Sequence, residues 1–254
     1  MSSKYGFDFS EIAVKRIYTQ PDKPTIIFLH DSLGCIELWR DFPEKMSQET
    51  GFNVLVYDRQ GYGKSCSFIY EKRDKQYLDL EADILKDLMA YWGLNDAILF
   101  GHSDGGTISL IMAAKYPEKV KAVITEGCHI FVDDLTIKGI NAAVYQYENS
   151  NLRERIARYH GDKTEMIYKL WVDTWREPSY ADWSIEYLLP NITCPTLVIQ
   201  GYEDEFGTEA QVDGIVNAIP NLGEKWMIEG VGHNPHKEVP ELVLEKSKKF
   251  LKNI

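Results

Sequence analysis

Short apolar runs alternating with stretches of helical length constrain this chain more than any other feature. The runs cover residues 25–29, 53–57, 97–100, 120–124, 196–200 and 225–228, and most are rich in β-branched residues. Runs so short and so apolar predict strands buried on both faces, joined by crossover helices into a parallel sheet. Residues 12–18 add an edge strand. Leu80, Ile84, Leu85, Leu88 and Met89 recur at helical spacing within residues 79–92, and residues 105–116 and 240–251 behave similarly. The expected fold class is therefore α/β, a mostly parallel central sheet flanked by helices.

One interval breaks the rhythm. Residues 130–189 hold no convincing strand and read as two or three helices, longer than the usual connection in such folds. The expected organisation is a core domain of residues 1–129 and 190–254 carrying a helical cap insertion of residues 130–189. No internal repeat or low-complexity segment interrupts it.

Composition enters mainly by exclusion. The net charge of −11, from 28 Lys+Arg against 39 Asp+Glu, opposes attraction to nucleic acid or anionic lipid. The start, Met1-Ser2-Ser3-Lys4-Tyr5-Gly6-Phe7-Asp8, lacks the apolar segment of a secretory leader, and no run approaches a membrane span. Cys35, Cys66, Cys128 and Cys194 are far apart with no CxxC pair, so free, mostly buried thiols are expected. These readings predict a cytoplasmic protein, monomer or homodimer, with no membrane or nucleic-acid partner.

The chemistry concentrates at the ends of the predicted strands. Residues 97–100 run into Gly101-His102-Ser103-Asp104-Gly105-Gly106, followed directly by a helical stretch. This is a G-x-S-x-G elbow in strand-turn-helix context: glycines allow a sharp turn that lifts the serine hydroxyl to the sheet edge. Two further strand ends carry Gly201-Tyr202-Glu203-Asp204 and Gly230-Val231-Gly232-His233. A serine hydroxyl needs a base, and the base needs a group that fixes its tautomer, so Ser103, His233 and Asp204 are the candidate catalytic set. Glu203, Glu205 and Glu126 are alternative acids; the spacing after Gly201 favours Asp204. The oxyanion would be held by the backbone N–H groups of Asp104 and of Ser32, in the loop His30-Asp31-Ser32-Leu33-Gly34.

Through that loop, Asp58-Arg59-Gln60-Gly61-Tyr62-Gly63-Lys64-Ser65, the elbow, Gly201 to Asp204 and Gly232-His233, the chain resembles the α/β-hydrolase superfamily over nearly its whole length. The layout looks like the small-cap group of carboxylesterases, enol-lactonases and meta-cleavage-product hydrolases, whose cap lies between the sixth and seventh strands in the fold's numbering. Asp31 stands where that family's oxyanion loop usually has the glycine of His-Gly. With Asp104, it puts two carboxylates near the site and disfavours anionic substrates unless Arg40, Arg59 or a cap arginine compensates.

The remaining candidates have plainer readings. His102 is expected to pack beneath the elbow and His30 to make a structural hydrogen bond; His129 and His160 carry no assigned role. His233 and His236 lack a third ligand, so no metal is expected. Of the many aromatics in residues 130–189, Trp171, Trp175 and Phe131 are expected to line a pocket. The expected activity is cleavage of an ester, thioester or lactone through an acyl-enzyme on Ser103, with no cofactor and an uncharged, hydrophobic small-molecule substrate. A C–C or amide bond hydrolase with the same triad is the alternative enzyme, and a non-catalytic ligand sensor the alternative of another class.

Overall fold

The computed structural model describes residues 3–252 and 254; Met1 and Ser2, part of the segment read for a leader, lie outside the described residues. Seven strands form one sheet: β1 (Val14–Ile17), β2 (Thr25–Leu29), β3 (Asn53–Tyr57), β4 (Ala97–His102), β5 (Val120–Glu126), β6 (Thr196–Gly201) and β7 (Gly223–Ile228). Their order is β1-β3-β2-β4-β5-β6-β7. β1 runs antiparallel to β3, and every other pairing is parallel.

Alternation along the central strands divides their side chains between two layers. Ile27, Leu29, Leu55, Leu99, Val123 and Val198 pack on one face with helices α2 (Tyr77–Tyr91) and α3 (Asp104–Lys115). Ile26, Phe28, Val54, Val56, Ile98, Phe100, Leu197 and Ile199 face the other way, toward α1 (Phe42–Thr50). There Phe28 stacks on Phe100 at 4.9 Å between ring centres. Both rings are fully buried, so truncating either to alanine would cost about 3–5 kcal/mol.

Between β5 and β6 the chain leaves the sheet for helices α4 (Asp134–Asn149), α5 (Leu152–His160) and α6 (Thr164–Arg176). Its extended backbone there amounts to one bridge, Phe131 with Ser184, among the described residues. Helices α7 (Glu209–Ala218), α8 (Pro235–Glu238) and α9 (Pro240–Leu251) complete the chain. The direction of strand addition reverses between β2 and β4, which are neighbours in the sheet. Such a reversal opens a crevice at the carboxyl edge, where the loop after β2 meets the turn after β4.

Candidate active site

Ser103 occupies that turn. Its φ of 54° and ψ of −120° lie in a region that side-chain-bearing residues avoid, at a cost of about 1–3 kcal/mol. Hydrogen bonds overdetermine the strain: Ser103 N–H donates to Glu126 O at 2.8 Å, and Ser103 O accepts from Gly106 and Thr107 N–H at 2.9 and 3.1 Å. The flanking glycines permit the geometry. A Cβ on Gly101 would meet Gly105 O at 2.2 Å, and one on Gly105 would meet Leu29 O at 2.0 Å.

The loops after β6 and β7 bring two groups to the same edge. His233 Nδ1 lies 2.9 and 3.0 Å from the two carboxylate oxygens of Asp204, and Phe206 N–H donates to Asp204 Oδ1 at 2.8 Å. Burial opposes ionisation of Asp204, but His233 and the Phe206 N–H outweigh it and hold the carboxyl below its ordinary range. Burial likewise opposes a charged His233, and the Asp204 carboxylate overrides it, raising the imidazole above 6.5. With Nδ1–H given to Asp204, Nε2 keeps a lone pair, the form a base needs. Ser103 and His233 face one cavity of about 150 Å³. No hydrogen bond joins their side chains, a gap usual before substrate binds.

Asp31, Ser32, Leu33, Asp104, His129, Thr136, Ile140, Trp171, Trp175, Phe206 and Asn234 complete the cavity wall. Trp171 and Trp175 line it. Phe131 does not: its backbone pairs with Ser184 and is tied to the Gln211 amide, so its ring packs against the core instead. A larger groove of about 1050 Å³ runs between residues 71–76 and α6. It holds no serine–histidine pair, and two of its lysines pair within it, Lys72 with Glu177 at 3.7 Å and Lys169 with Asp173 at 3.4 Å.

Asp31 shapes the oxyanion loop in the glycine's stead, its Oδ1 accepting the Leu33 N–H at 3.0 Å. That occupies Leu33 and leaves the Ser32 N–H without a partner among the described residues. Polar side chains lie behind both carboxylates of the site, with a cation behind Asp104. Asp31 lies 3.3 Å from His102 Nδ1, and Asp104 lies 3.7 Å from the fully buried Arg59 and 3.3 Å from the Tyr77 hydroxyl. Arg59 also donates to Asp31 O at 2.9 Å.

Each buried histidine has a definite place. His102 Nε2–H donates to the His233 carbonyl at 2.7 Å, tying the elbow to the loop after β7. His30 accepts the Arg59 N–H on Nε2 at 3.0 Å and donates from Nδ1 to Asp31 O at 2.8 Å. His160, on α5, accepts the Gly63 N–H at 2.9 Å and donates to Leu33 O at 2.9 Å, clasping the helical segment to the oxyanion loop. Glu126 meets His236 rather than His233. His129 and His160 were missed by sequence reasoning because a single histidine in a helical or loop context carries no local pattern.

Among the described residues no helix is long and apolar enough to cross a membrane. No group of three or more His, Cys, Asp or Glu there could hold a metal ion.

The sequence matches the model of the α/β hydrolase fold over residues 24–161, and the chain belongs to that family. It is an enzyme of the hydrolase class. It is 30% identical to serine hydrolase BPHL of Homo sapiens over 192 residues, 73% of this chain and 64% of that protein. It is 27% identical over 206 residues to a 2-hydroxy-6-oxononadienedioate/2-hydroxy-6-oxononatrienedioate hydrolase of Pseudomonas sp, covering 71% of each. Among solved structures, the enol-lactonase from Burkholderia xenovorans LB400 superposes with a TM-score of 0.72 at 18% identity, over 94% of this chain and 96% of that one.

Proposed function

We propose that this protein is a serine hydrolase that cleaves a small, uncharged ester, thioester or lactone through an acyl-enzyme on Ser103. The observation that carries the reading is the joint placement of a strained elbow serine and a carboxylate-bound imidazole on one small cavity. Ser103 Oγ attacks the carbonyl carbon as His233 Nε2 takes its proton. The tetrahedral intermediate collapses with return of that proton to the leaving oxygen or sulfur. Water, deprotonated by His233, then attacks the acyl-enzyme, and Ser103 leaves with the proton. Asp204 holds the ring and stabilises the imidazolium. The N–H groups of Ser32 and of Asp104, the first residue of α3, receive the oxyanion, each donor worth about 3 kcal/mol.

Residues 130–189 act as a cap in this reading, with Trp171 and Trp175 roofing the cavity. No cofactor enters the mechanism. A cytoplasmic monomer or homodimer is consistent with the acidic composition. The C–C hydrolase alternative draws on the similarity to the Pseudomonas protein, but a dianionic substrate would meet Asp31 and Asp104. The cation nearest Asp104, Arg59, lies beneath it and does not line the cavity.

The test is intact mass after a fluorophosphonate probe. A single adduct on the wild type and none on Ser103→Ala is the expected result, with ester turnover lowered about 10⁴-fold or more in the variant. Folded wild type that takes no adduct and turns over no ester would overturn the reading in favour of a ligand sensor.

A further inference from the structure

His129, on the cavity wall, is fixed through both its backbone and its ring. Its backbone N–H donates to Thr107 Oγ1 at 3.1 Å, and the same hydroxyl donates to His129 O at 2.7 Å. Its ring meets Trp175 edge to face at 5.2 Å and lies 6.2 Å from the ring of His233. Its Nε2 lies 2.9 Å from Phe206 O. A carbonyl can only accept, so Nε2 carries the proton and Nδ1 keeps a lone pair. Burial, together with the neighbouring His233, disfavours the charged ring, so that lone pair persists near neutral pH.

Nδ1 has no hydrogen-bond partner among the described residues, yet the side chain lines the cavity. Several of the other polar groups there are already engaged. Thr136 Oγ1 donates to Asp133 at 3.0 Å, Asn234 Oδ1 accepts from Lys237 at 2.9 Å, Asp31 is bound to Leu33 N–H, and Asp104 faces Arg59 and Tyr77. The rest of the wall is largely apolar: Leu33, Ile140, Trp171, Trp175 and Phe206. An acceptor fixed in such a wall selects a substrate that brings a donor, because an analogue without one leaves the acceptor unpaired.

Building on the serine-esterase reading above, we infer that His129 is a specificity-determining residue whose Nδ1 accepts a hydrogen bond from a hydroxyl on the substrate's acyl chain. The preferred substrates are then esters of short hydroxy acids. The cavity of about 150 Å³ has room for a short acyl chain and little more. Asp31 and Asp104 on the same wall disfavour an anionic substrate and leave a neutral donor as the better fit.

The experiment compares phenyl esters of butyric, 3-hydroxybutyric and 3-methoxybutyric acid on the wild type and on His129→Phe. The methoxy ester keeps the oxygen but carries a methyl group in place of the donor hydrogen. On the wild type, kcat/KM for the hydroxy ester is expected about tenfold above both others, a preference of the size one well-placed hydrogen bond gives. In His129→Phe that ratio should collapse toward one. Because all three esters use the same triad, the ratio is unaffected if the substitution also disturbs the acid loop through Phe206. Equal wild-type turnover of the three esters overturns the inference while sparing the esterase reading, and needs no variant. An unchanged ratio in His129→Phe also overturns it, leaving His129 as a positioning residue only. If none is turned over and the fluorophosphonate leaves no adduct, the esterase reading falls and takes this inference with it.

Discussion

Two histidines three residues apart in the chain, His233 and His236, each meet a carboxyl group through Nδ1. Nδ1 of His233 meets Asp204 at 2.9 Å, and Nδ1 of His236 meets Glu126 at 2.5 Å. Their surroundings differ. Asp204 also accepts the Phe206 N–H, and its histidine opens onto the cavity. Glu126 Oε1 has no hydrogen-bond partner among the described residues, and the His236 ring is enclosed by Trp39 at 4.4 Å and Phe42 at 5.8 Å. Burial pushes the Glu126 carboxyl up to about 8, and burial drives His236 well below its ordinary value. Near neutral pH the inner pair is therefore uncharged, its carboxyl donating to Nδ1, while Asp204 stays ionised beside His233. A histidine beside a carboxyl group serves as the base of the proposed mechanism in one place and is a neutral packing element in the other. Solvation and the count of donors to the carboxylate decide which.

Substitution separates the pairs most sharply. Asp204→Asn should lower kcat about 10⁴-fold by releasing the wrong tautomer of His233. Glu126→Gln, which preserves a donor to His236 Nδ1, should change kcat less than about tenfold. Ester hydrolysis measured under saturating substrate checks both, and equal losses would break the comparison.

The pH profile sharpens it. The base must be neutral, and the folded-state pKa of His233 is raised above 6.5, so kcat/KM should climb with pH through a midpoint above 6.5 and then level. Glu126→Gln should leave that midpoint in place. A midpoint that followed Glu126 instead would assign the titration to the wrong pair.

The smallest effect is on stability. Glu126 binds its proton more tightly folded, at about 8, than unfolded, near 4.5. Its favourable contribution is complete below 4.5 and is lost as pH rises toward about 8. Relative to Glu126→Gln, the wild type should lose stability across that window in urea unfolding. A difference that stayed flat with pH would mean that Glu126 is ionised in the folded protein.

The strands were legible because parallel strands buried on both faces must be apolar throughout, and all seven lie where the runs and the edge segment placed them. Helices α2 and α3 were read with their starts one or two residues late, while α1 and α7 went unassigned. Polar residues dilute the pattern in α1, where Glu44, Lys45, Gln48 and Glu49 interrupt Phe42 and Met46. Phe131 was misplaced because a ring's direction depends on the bridge to Ser184 and on Gln211, 80 residues away in the chain.

The sequence alone determined the elbow, its strand-turn-helix setting, and the order in which serine, acid and histidine follow one another, since each depends on contiguous residues. It left four carboxylates, Glu126, Asp204 and the two neighbours of Asp204, competing for one histidine. Tertiary structure decided between them: the end of β5 delivers Glu126 to His236, while the loop after β6 delivers Asp204 to His233. It also fixed which nitrogen of each buried histidine carries the proton, because that depends on whether a carbonyl, an N–H or a carboxylate from a distant segment arrives beside the ring. Burial and hydrogen-bond partners are properties of the packed whole, and no local pattern encodes them.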